Sequence, residues 1–360
     1  MLKIEESSFI AELKKKVDKE SYEKLIRIRC PEVHRFILEQ IDICNPDDVF
    51  VCTDSEQDIG YIREEALKSG EERKLKIRGH TVHFDGYHDQ ARDRKNTKFL
   101  LSQQVAGINC IDREKGLQEI RKIMHNIMRG HRMYILFFSL APLGSEFSIY
   151  AVQLTDSSYV AHSEHLLYRT AYNEFVKRGE KIKPFKFIHS AGELDERMNS
   201  KNIDERRVYI DLEKETVYSA NTQYGGNTIG LKKLALRLAI NRASKEGWLA
   251  EHMFIMGVHN KGRTTYFAGA FPSLCGKTST SMLRGETIVG DDIAYLRRKG
   301  DRIRAVNPEK GIFGIIKGIN PESDPILWKT LRTPGEIIFS NDLVTISFNV
   351  SNSFTILRAS

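Results

Sequence analysis

Apolar residues recur along the chain with two spacings, and each spacing predicts a different kind of element. Helical spacing runs through residues 8–29 and again through "IGLKKLALRLAINRASKE", 229–246, which ends before Gly247. Apolar runs predict strands in "MYILFFSL" (133–140) and "FSIYAVQL" (147–154), which a Pro-Leu-Gly turn separates. Together these patterns predict a mixed α/β fold.

Two more hairpins follow from the same pattern. "RRVYIDLEKETVYSA" contains two strands around a Glu-Lys-Glu turn, and "HMFIMGV" and "TTYFAGA" flank an Asn-Lys-Gly turn. The stretch "GHTVHFDGYHDQARDRKNT", 79–97, has neither period and is predicted to be a loop. "HSEH", 162–165, has a metal-like spacing on a helix, but we interpret it as surface structure.

Composition narrows the classes of partner. Lys and Arg number 55 against 48 Asp and Glu, in a chain of 360 residues. The basic residues are interspersed with acidic ones, so we expect small anionic substrates and no nucleic acid. No signal peptide opens the chain and no apolar run reaches a membrane-spanning length, which predicts no membrane association and a cytoplasmic location.

The five cysteines have no regular spacing and no CxxC pair, which predicts free thiols. Four of them are expected to be small buried apolar residues, namely Cys30, Cys44, Cys52 and Cys110. Cys275 differs because it lies in the loop "GAFPSLCGKTSTS", 269–281.

That loop ends like a phosphate-binding loop, although Phe271 stands where the first glycine of the usual motif belongs. A strand that leads into Gly-Lys-Thr and then a helix places backbone N–H groups around one point, where an anion fits. Lys277 would carry positive charge to the β- and γ-phosphates, and the Thr278 hydroxyl would ligate a divalent cation. The alternative is an ordinary strand-to-helix turn.

A second apolar strand, within "TIVGDDIAYL" (287–296), is followed by two carboxylates. Phosphate-loop proteins supply acidic groups to Mg²⁺ beside the loop in this order, so Asp291 and Asp292 favour a nucleotide site with Mg²⁺. The alternative is a solvated turn or a helix N-cap.

Four stretches in close succession, "EGWLAEHM", "FAGAFPSLCGKTSTSM", "VGDDIAYL" and "AVNPEKGIFG", resemble the nucleotide domain of GTP-dependent phosphoenolpyruvate carboxykinases. Upstream, "MYILFFSLAPLGS", "VQLTDSSYV" and "QYGGNTIGLKK" resemble the N-terminal half of that family, and several stretches resemble its archaeal members. The resemblance implies a GTP-dependent lyase of gluconeogenesis that converts oxaloacetate and GTP to phosphoenolpyruvate, GDP and CO₂. It divides the chain into an N-terminal substrate-binding α/β domain, 1–225, a nucleotide and metal domain with a phosphate-binding loop, 226–344, and an unmatched tail, 345–360.

The resemblance also implies a Mn²⁺ site formed by a lysine, a histidine and an aspartate. His252 and Asp292 match the family directly. The lysine is Lys233 when counted from "YGGN" and Lys232 when counted back from His252, and both remain open. Either lysine must be neutral to ligate a metal.

The remaining implied residues surround the substrate and the nucleotide. By resemblance, Cys275 and Lys277 are catalytic, and the phosphate cradle consists of Leu274, Cys275, Gly276, Lys277, Thr278 and Ser279. The residues implied to contact substrate are Arg92, Tyr224, Gly225, Gly226 and Ser273. Arg94 is the alternative to Arg92, because it lies two positions away in "ARDRKNT".

The likeness ends near "EIIFSNDLV", and the stretch that follows, "TISFNVSNSFTILRAS", matches nothing in the family. We therefore expect an incomplete nucleotide domain that lacks the guanine-binding part. Two interpretations stay open: an enzyme chain completed by a separate C-terminal polypeptide, or a non-catalytic nucleotide-binding fragment. On either, the chain alone is expected to bind Mn²⁺ and phosphates weakly without turnover.

Overall fold

The computed structural model describes residues 2–86, 93–223, 228–272, 275–314, 316, 318–346 and 354–358. Its α-helices are α1 (Leu2–Lys16), α2 (Lys19–Arg27), α3 (Pro31–Cys44), α4 (Glu56–Lys68), α5 (Arg113–Met124), α6 (Ser158–Leu167), α7 (Tyr172–Arg178), α8 (Thr228–Lys233), α9 (Ala239–Glu246), α10 (Lys277–Ser281) and α11 (Pro325–Thr330). A π-helical segment, Leu234–Leu238, joins α8 to α9.

The strands are β1 (Asp48–Val51), β2 (Arg73–Lys74), β3 (His80–Phe84), β4 (Thr97–Leu101), β5 (Cys110–Asp112), β6 (Arg132–Leu140), β7 (Ile149–Thr155), β8 (Arg169–Thr170), β9 (Phe185–Ser190), β10 (Arg207–Asp211), β11 (Thr216–Ala220), β12 (Leu249–Glu251), β13 (Phe254–Asn260), β14 (Arg263–Gly269), β15 (Thr287–Gly290), β16 (Ala294–Lys299), β17 (Arg302–Val306), β18 (Ile337–Ile346) and β19 (Phe354–Arg358). Among the described residues, none of the helices is both long and apolar enough to cross a membrane.

A nine-stranded mixed sheet organises the N-terminal part, in the order β1-β6-β7-β9-β11-β10-β4-β5 with β8 beside β6. β6 and β7 are antiparallel, as are β10 and β11, whereas β7, β9 and β11 run parallel. The predicted mixed α/β fold and both of these strand pairs are confirmed.

Apolar cores cover both faces of this sheet. One core joins it to α1, α2, α3, α5 and α7, through side chains such as Leu25 and Phe175. The other joins it to α6 and to the continuous helix 228–246, and reaches Trp248, Ile293 and Tyr295 of the following segments. The helix 228–246 packs on the N-terminal sheet and leads directly into the second part of the chain. It therefore holds the second part against the N-terminal sheet. The predicted division between 225 and 226 stays a prediction.

The second part contains two three-stranded sheets, β14-β13-β15 and β12-β16-β17. The predicted hairpin of "HMFIMGV" and "TTYFAGA" is confirmed as β13 and β14, which pair antiparallel from Phe254 opposite Gly269 to Asn260 opposite Arg263. The stretch 287–296 is divided between β15 and β16, which belong to different sheets, and Asp291 and Asp292 lie at the crossing.

Two local predictions were wrong. The loop predicted for 79–97 contains β3, which pairs with β2 and β18 in a four-stranded sheet. His80 and His83 are buried there because backbone carbonyls of Thr333 and Glu71 lie within hydrogen-bond distance, 3.0 and 2.7 Å, of their ring nitrogens. "HSEH" lies on α6 as a buried segment, because this helix packs between α4, α8 and the sheet.

The five cysteines are free thiols, as predicted. Cys30, Cys44 and Cys52 are buried, as expected for small apolar residues, and Cys275 is exposed. Cys110 is half-buried, so the expectation of burial was wrong for this residue, which lies in the short edge strand β5.

Candidate functional site

The glycine-lysine loop connects β14 to the short helix α10. Gly276 precedes the helix with φ of +82°, a conformation that L side chains rarely adopt. At the start of the loop, a Cβ added to Gly269 would lie 2.5 Å from the ring of Phe254. Phe271 packs edge-on against the same ring, with the centroids 5.5 Å apart. Phe271 therefore anchors the loop to β13, which is a structural reason for an aromatic residue where the usual motif has glycine.

Three nitrogen donors converge on the carboxylate of Asp292. Lys277 Nζ and His252 Nε2 lie 2.7 and 2.6 Å from Oδ1, and Lys232 Nζ lies 2.7 Å from Oδ2. The four residues come from α8, from the segment after β12, from the first turn of α10 and from the crossing after β15. The geometry thus joins the predicted metal site to the phosphate loop through one carboxylate.

Charged neighbours decide the direction in which the pKa values of Asp292 and Lys232 shift. Burial raises the pKa of Asp292, but hydrogen bonds from His252 and the lysines and the charge of Lys232 outweigh it and hold the pKa well below its usual range. Burial lowers the pKa of Lys232, yet the nearby Glu309 and Asp292 outweigh burial and raise it. Both carboxylates therefore favour the charged form of Lys232.

Asp291 faces the hydroxyl of the phosphate loop. Thr278 Oγ1 donates to Asp291 Oδ2 at 3.2 Å, while Oδ1 is buried without a hydrogen-bond partner among the described residues. Burial raises the pKa of Asp291, and Asp292 adds to that effect. A hydroxyl beside a carboxylate with a spare oxygen matches the donors that nucleotide-bound Mg²⁺ uses.

The structure brings Lys232 to Asp292. Both lysines belong to α8, and the π-helical segment begins directly after them, at Leu234. A π turn holds more residues than an α turn, so this segment affects the count back from His252 but not the count from "YGGN". Lys233 as a metal ligand stays a prediction.

The other candidates are only partly described. Cys275 is exposed, and Ser279 Oγ donates to Asp324 Oδ1 at 2.6 Å at the far side of α10. The predicted residues that lie outside the described ones are Arg92, Tyr224, Gly225, Gly226, Ser273 and Leu274. Their roles stay predictions.

One residue of the cluster was not identified from the sequence. Glu309, with its side chain fully buried, also contacts the Lys232 Nζ that contacts Asp292. It belongs to the stretch "AVNPEKGIFG", which carried the resemblance without a role. A carboxylate that directly follows Pro308 near the end of β17 was the available signal, but its partner lies 77 residues away in the chain.

The donor set fits a divalent cation of intermediate hardness. The His252 imidazole and the Lys232 amine each lie within hydrogen-bond distance of the Asp292 carboxylate. The His252 side chain is 42% exposed, which leaves an approach from solvent. Within the described ranges, three or more His, Cys, Asp or Glu side chains do not form a metal-binding group by themselves. A lysine amine in such a site must lose its proton to bind a metal.

Two family models and several relatives match this chain. Residues 35–244 match the family "Phosphoenolpyruvate carboxykinase N-terminal domain", and residues 248–350 match "Phosphoenolpyruvate carboxykinase C-terminal P-loop domain". The chain is 58% identical over 335 residues to "Phosphoenolpyruvate carboxykinase [GTP]" of Thermococcus sibiricus, and equally to that of Thermococcus kodakarensis. A relative of the same name from Sulfurisphaera tokodaii is 48% identical over 313 residues.

These alignments cover most of this chain but only part of the relatives. The match to the Thermococcus sibiricus protein includes 92% of this chain and 54% of the relative, and the Sulfurisphaera match includes 87% and 50%. The chain therefore spans about half the length of the curated relatives it matches. With both domain matches in order along the chain and the loop, His252 and Asp292 in one cluster, the chain belongs to the phosphoenolpyruvate carboxykinase family.

Proposed function

We propose that this chain supplies the metal site and the phosphate loop of a GTP-dependent phosphoenolpyruvate carboxykinase, which converts oxaloacetate and GTP to phosphoenolpyruvate, GDP and CO₂. The observation that carries the proposal is the convergence of Lys232, His252 and Lys277 on Asp292 beside the loop. The names of the relatives supply the choice of GTP. We also propose the cytoplasm as its location, which agrees with five free thiols.

For the metal, we propose that Lys232, His252 and Asp292 hold one Mn²⁺, with Lys233 as the alternative amine. A bound Mn²⁺ would stabilise the negative charge that develops on the oxygen of oxaloacetate as CO₂ leaves. Asp292 orients the nitrogen atoms of Lys232 and His252, since each lies within 2.7 Å of one of its carboxylate oxygens.

For the nucleotide, we propose that the phosphates lie over residues 274–279, with their Mg²⁺ held near Thr278 and Asp291. Lys277 is already oriented by Asp292, at 2.7 Å, so its ammonium lies between the proposed metal site and the loop. A lysine in that position can neutralise charge on the phosphoryl group that is transferred. Cys275 lies exposed in the same loop, where it can contact the reactants.

For the organic substrate, the proposal keeps the residues implied by resemblance: Arg92, Tyr224, Gly225, Gly226 and Ser273. Arg92 would bind a substrate carboxylate through the paired N–H groups of its guanidinium. Glycine at 225 and 226 would let backbone N–H groups approach the substrate closely. Ser273 lies in the phosphate loop, so substrate and nucleotide would meet there.

The metal assignment can be tested on this chain by titrating Mn²⁺ and following free Mn²⁺ by electron paramagnetic resonance. Loss of a ligand should weaken binding about tenfold or more. We expect that loss for His252→Ala, Asp292→Ala and Lys232→Ala, whereas Lys233→Ala should bind like wild type. A loss confined to Lys233→Ala would move the amine by one position, and a wild-type chain that binds no Mn²⁺ would reject the site.

The reaction can be tested with a fusion of residues 1–340 to the remaining part of the Thermococcus kodakarensis relative. We expect GTP- and Mn²⁺-dependent CO₂ release from oxaloacetate with stoichiometric phosphoenolpyruvate, and loss of both in the matched Asp292→Asn fusion. The same assay on this chain mixed with a separately expressed C-terminal half tests the predicted partner polypeptide. A folded fusion without nucleotide-dependent CO₂ release would reject the assignment.

A further inference from the structure

Residues 307–311, "NPEKG", pack tightly against the N-terminal domain. The backbone N–H groups of Lys310 and Gly311 both donate to the Leu167 carbonyl at the end of α6, at 2.7 and 3.1 Å. A Cβ added to Gly311 would lie 2.4 Å from the Leu166 carbonyl oxygen. This contact requires glycine, so the segment is held close to α6.

Asn307 fixes the backbone of the segment from within. Its Nδ2 donates to the Glu309 carbonyl at 3.0 Å, and its Oδ1 accepts from the Glu309 N–H at 3.3 Å. The Asn307 side chain in turn packs on Gly290, where an added Cβ would lie 2.3 Å from Asn307 Cγ. Gly290 directly precedes Asp291 and Asp292, so the same contact joins the segment to the carboxylates of the site.

Glu309 is the residue that this packing places. Its side chain is fully buried, and Oε1 accepts hydrogen bonds from Lys232 Nζ and, at 3.2 Å, from Tyr168 Oη. Lys232 Nζ therefore contacts two carboxylates, those of Asp292 and Glu309. Only 11% of the lysine side chain is exposed.

A lysine amine has a flexible four-carbon stem, so its nitrogen needs a second fixed partner if it is to serve as a defined ligand. We propose that Glu309 is the positioning residue for Lys232, and that residues 307–311 hold this carboxylate against the lysine amine. The proposal rests on the proposed function, because it assumes that Lys232 ligates Mn²⁺. It assigns a role to a carboxylate whose side chain is fully buried.

The test uses Glu309→Asp, which keeps the charge and withdraws the carboxylate by one methylene. Residues that orient metal ligands typically change affinity 10- to 100-fold when they are altered. We expect Glu309→Asp to weaken Mn²⁺ binding to the 360-residue chain by at least tenfold. The matched control, Glu146→Asp, shortens an exposed carboxylate that pairs with Lys299 and Arg304. This variant should bind Mn²⁺ like wild type.

A double-mutant cycle separates positioning from a general effect on the fold. In a Lys232→Gln background, Glu309→Asp should cause no further loss of Mn²⁺ affinity, because its effect passes through the amine. Thermal melting of each variant accompanies the titrations. If Glu309→Asp does not fold, Asn307→Ala replaces it, because it releases the Glu309 backbone, keeps the carboxylate charge and should weaken Mn²⁺ binding for the same reason.

Two results would overturn the inference while the proposed function stands: wild-type Mn²⁺ affinity in Glu309→Asp, or an equal loss with and without Lys232. Absence of Mn²⁺ binding by the wild-type chain would overturn the metal assignment itself, and this inference with it.

Discussion

Asp292 is the anion on which the whole cluster depends, and Asp292→Asn tests that dependence. The substitution keeps the shape of the side chain and removes its charge. Lys277 then keeps only the contact of its ammonium with the Asp292 carbonyl, at 3.3 Å, and His252 loses its carboxylate partner. Lys232 retains Glu309. Removing this one charge therefore leaves positive groups close together with too few anions.

The magnitude follows from burial and distance. The Lys232 and Lys277 side chains are each 11% exposed, and Asp292 is 20% exposed. Unit charges about 4 Å apart interact by about 4 kcal/mol at an effective dielectric constant of about 20. Removing one partner of a buried pair costs about 3–5 kcal/mol. Because Lys232 keeps one anion and the site is not sealed, we expect Asp292→Asn to lower the free energy of unfolding by about 3 kcal/mol.

The pH for this measurement follows from the sign of the shift. The pKa of Asp292 is held below its ordinary value of 3.8, so the stability that its charge provides is present above that pH. It is lost only as the pH falls below 3.8 through the lower native pKa. At pH 7 the full penalty should appear.

The assay is urea unfolding at pH 7, followed by tryptophan fluorescence, to which Trp248, buried against Tyr295, contributes. The matched control is Asp301→Asn, an exposed aspartate in the turn between β16 and β17, which should change stability by less than about 0.5 kcal/mol. If Asp292→Asn falls within the same range, the cations are not held by Asp292 and the electrostatic reasoning is refuted.

Three further predictions concern other parts of the chain. Gly276→Ala should cost about 1–2 kcal/mol in urea unfolding, because φ is +82° while space around the Cβ is open; an unchanged midpoint would contradict this. Burial lowers the pKa of His162, but the partners Glu336 and Glu72 outweigh burial and raise that pKa above 6.5. In urea unfolding, His162→Asn should therefore lower the free energy of unfolding by about 3 kcal/mol at pH 6, and by progressively less as the pH rises through the native pKa. A loss of stability in His162→Asn that grows with pH would contradict this prediction. Iodoacetamide should label exposed Cys275 before the three buried thiols, as peptide mass analysis of the native protein would show.

The sequence predicted elements well where burial and apolar character coincide. The strands around 133–154 were readable because nearly every side chain of β6 and β7 is buried and most are apolar. β3 was not readable, because its buried side chains include histidines whose hydrogen-bond partners are 12 and 253 residues away. The spacing of apolar residues predicts only those strands whose buried side chains are apolar. A strand that buries polar side chains against distant carbonyls is therefore predicted as a loop.

The same limit explains α6. His162 carries a hydrogen bond to Glu72, which is 90 residues away, and Glu71 accepts hydrogen bonds from the N-terminal turn of the helix, for example from Ser158 N at 3.0 Å. Each polar group of "HSEH" resembles a surface residue when its partners are unknown. The helical character of the segment was predictable from the chain, but its burial depended on acidic side chains supplied by another segment.

The functional cluster shows where family likeness ends and geometry begins. Likeness identified His252, Lys277 and Asp292, because each sits in a short stretch of distinctive residues. It left the lysine ambiguous, because the count from "YGGN" and the count back from His252 differ by one residue. Contact with Asp292 favours Lys232 without any counting, and Glu309 of the "NPEKG" stretch contacts the same amine. A flexible amine can serve as a metal ligand only if the fold restricts it, and here the restriction comes from residues 60 and 77 positions away in the chain.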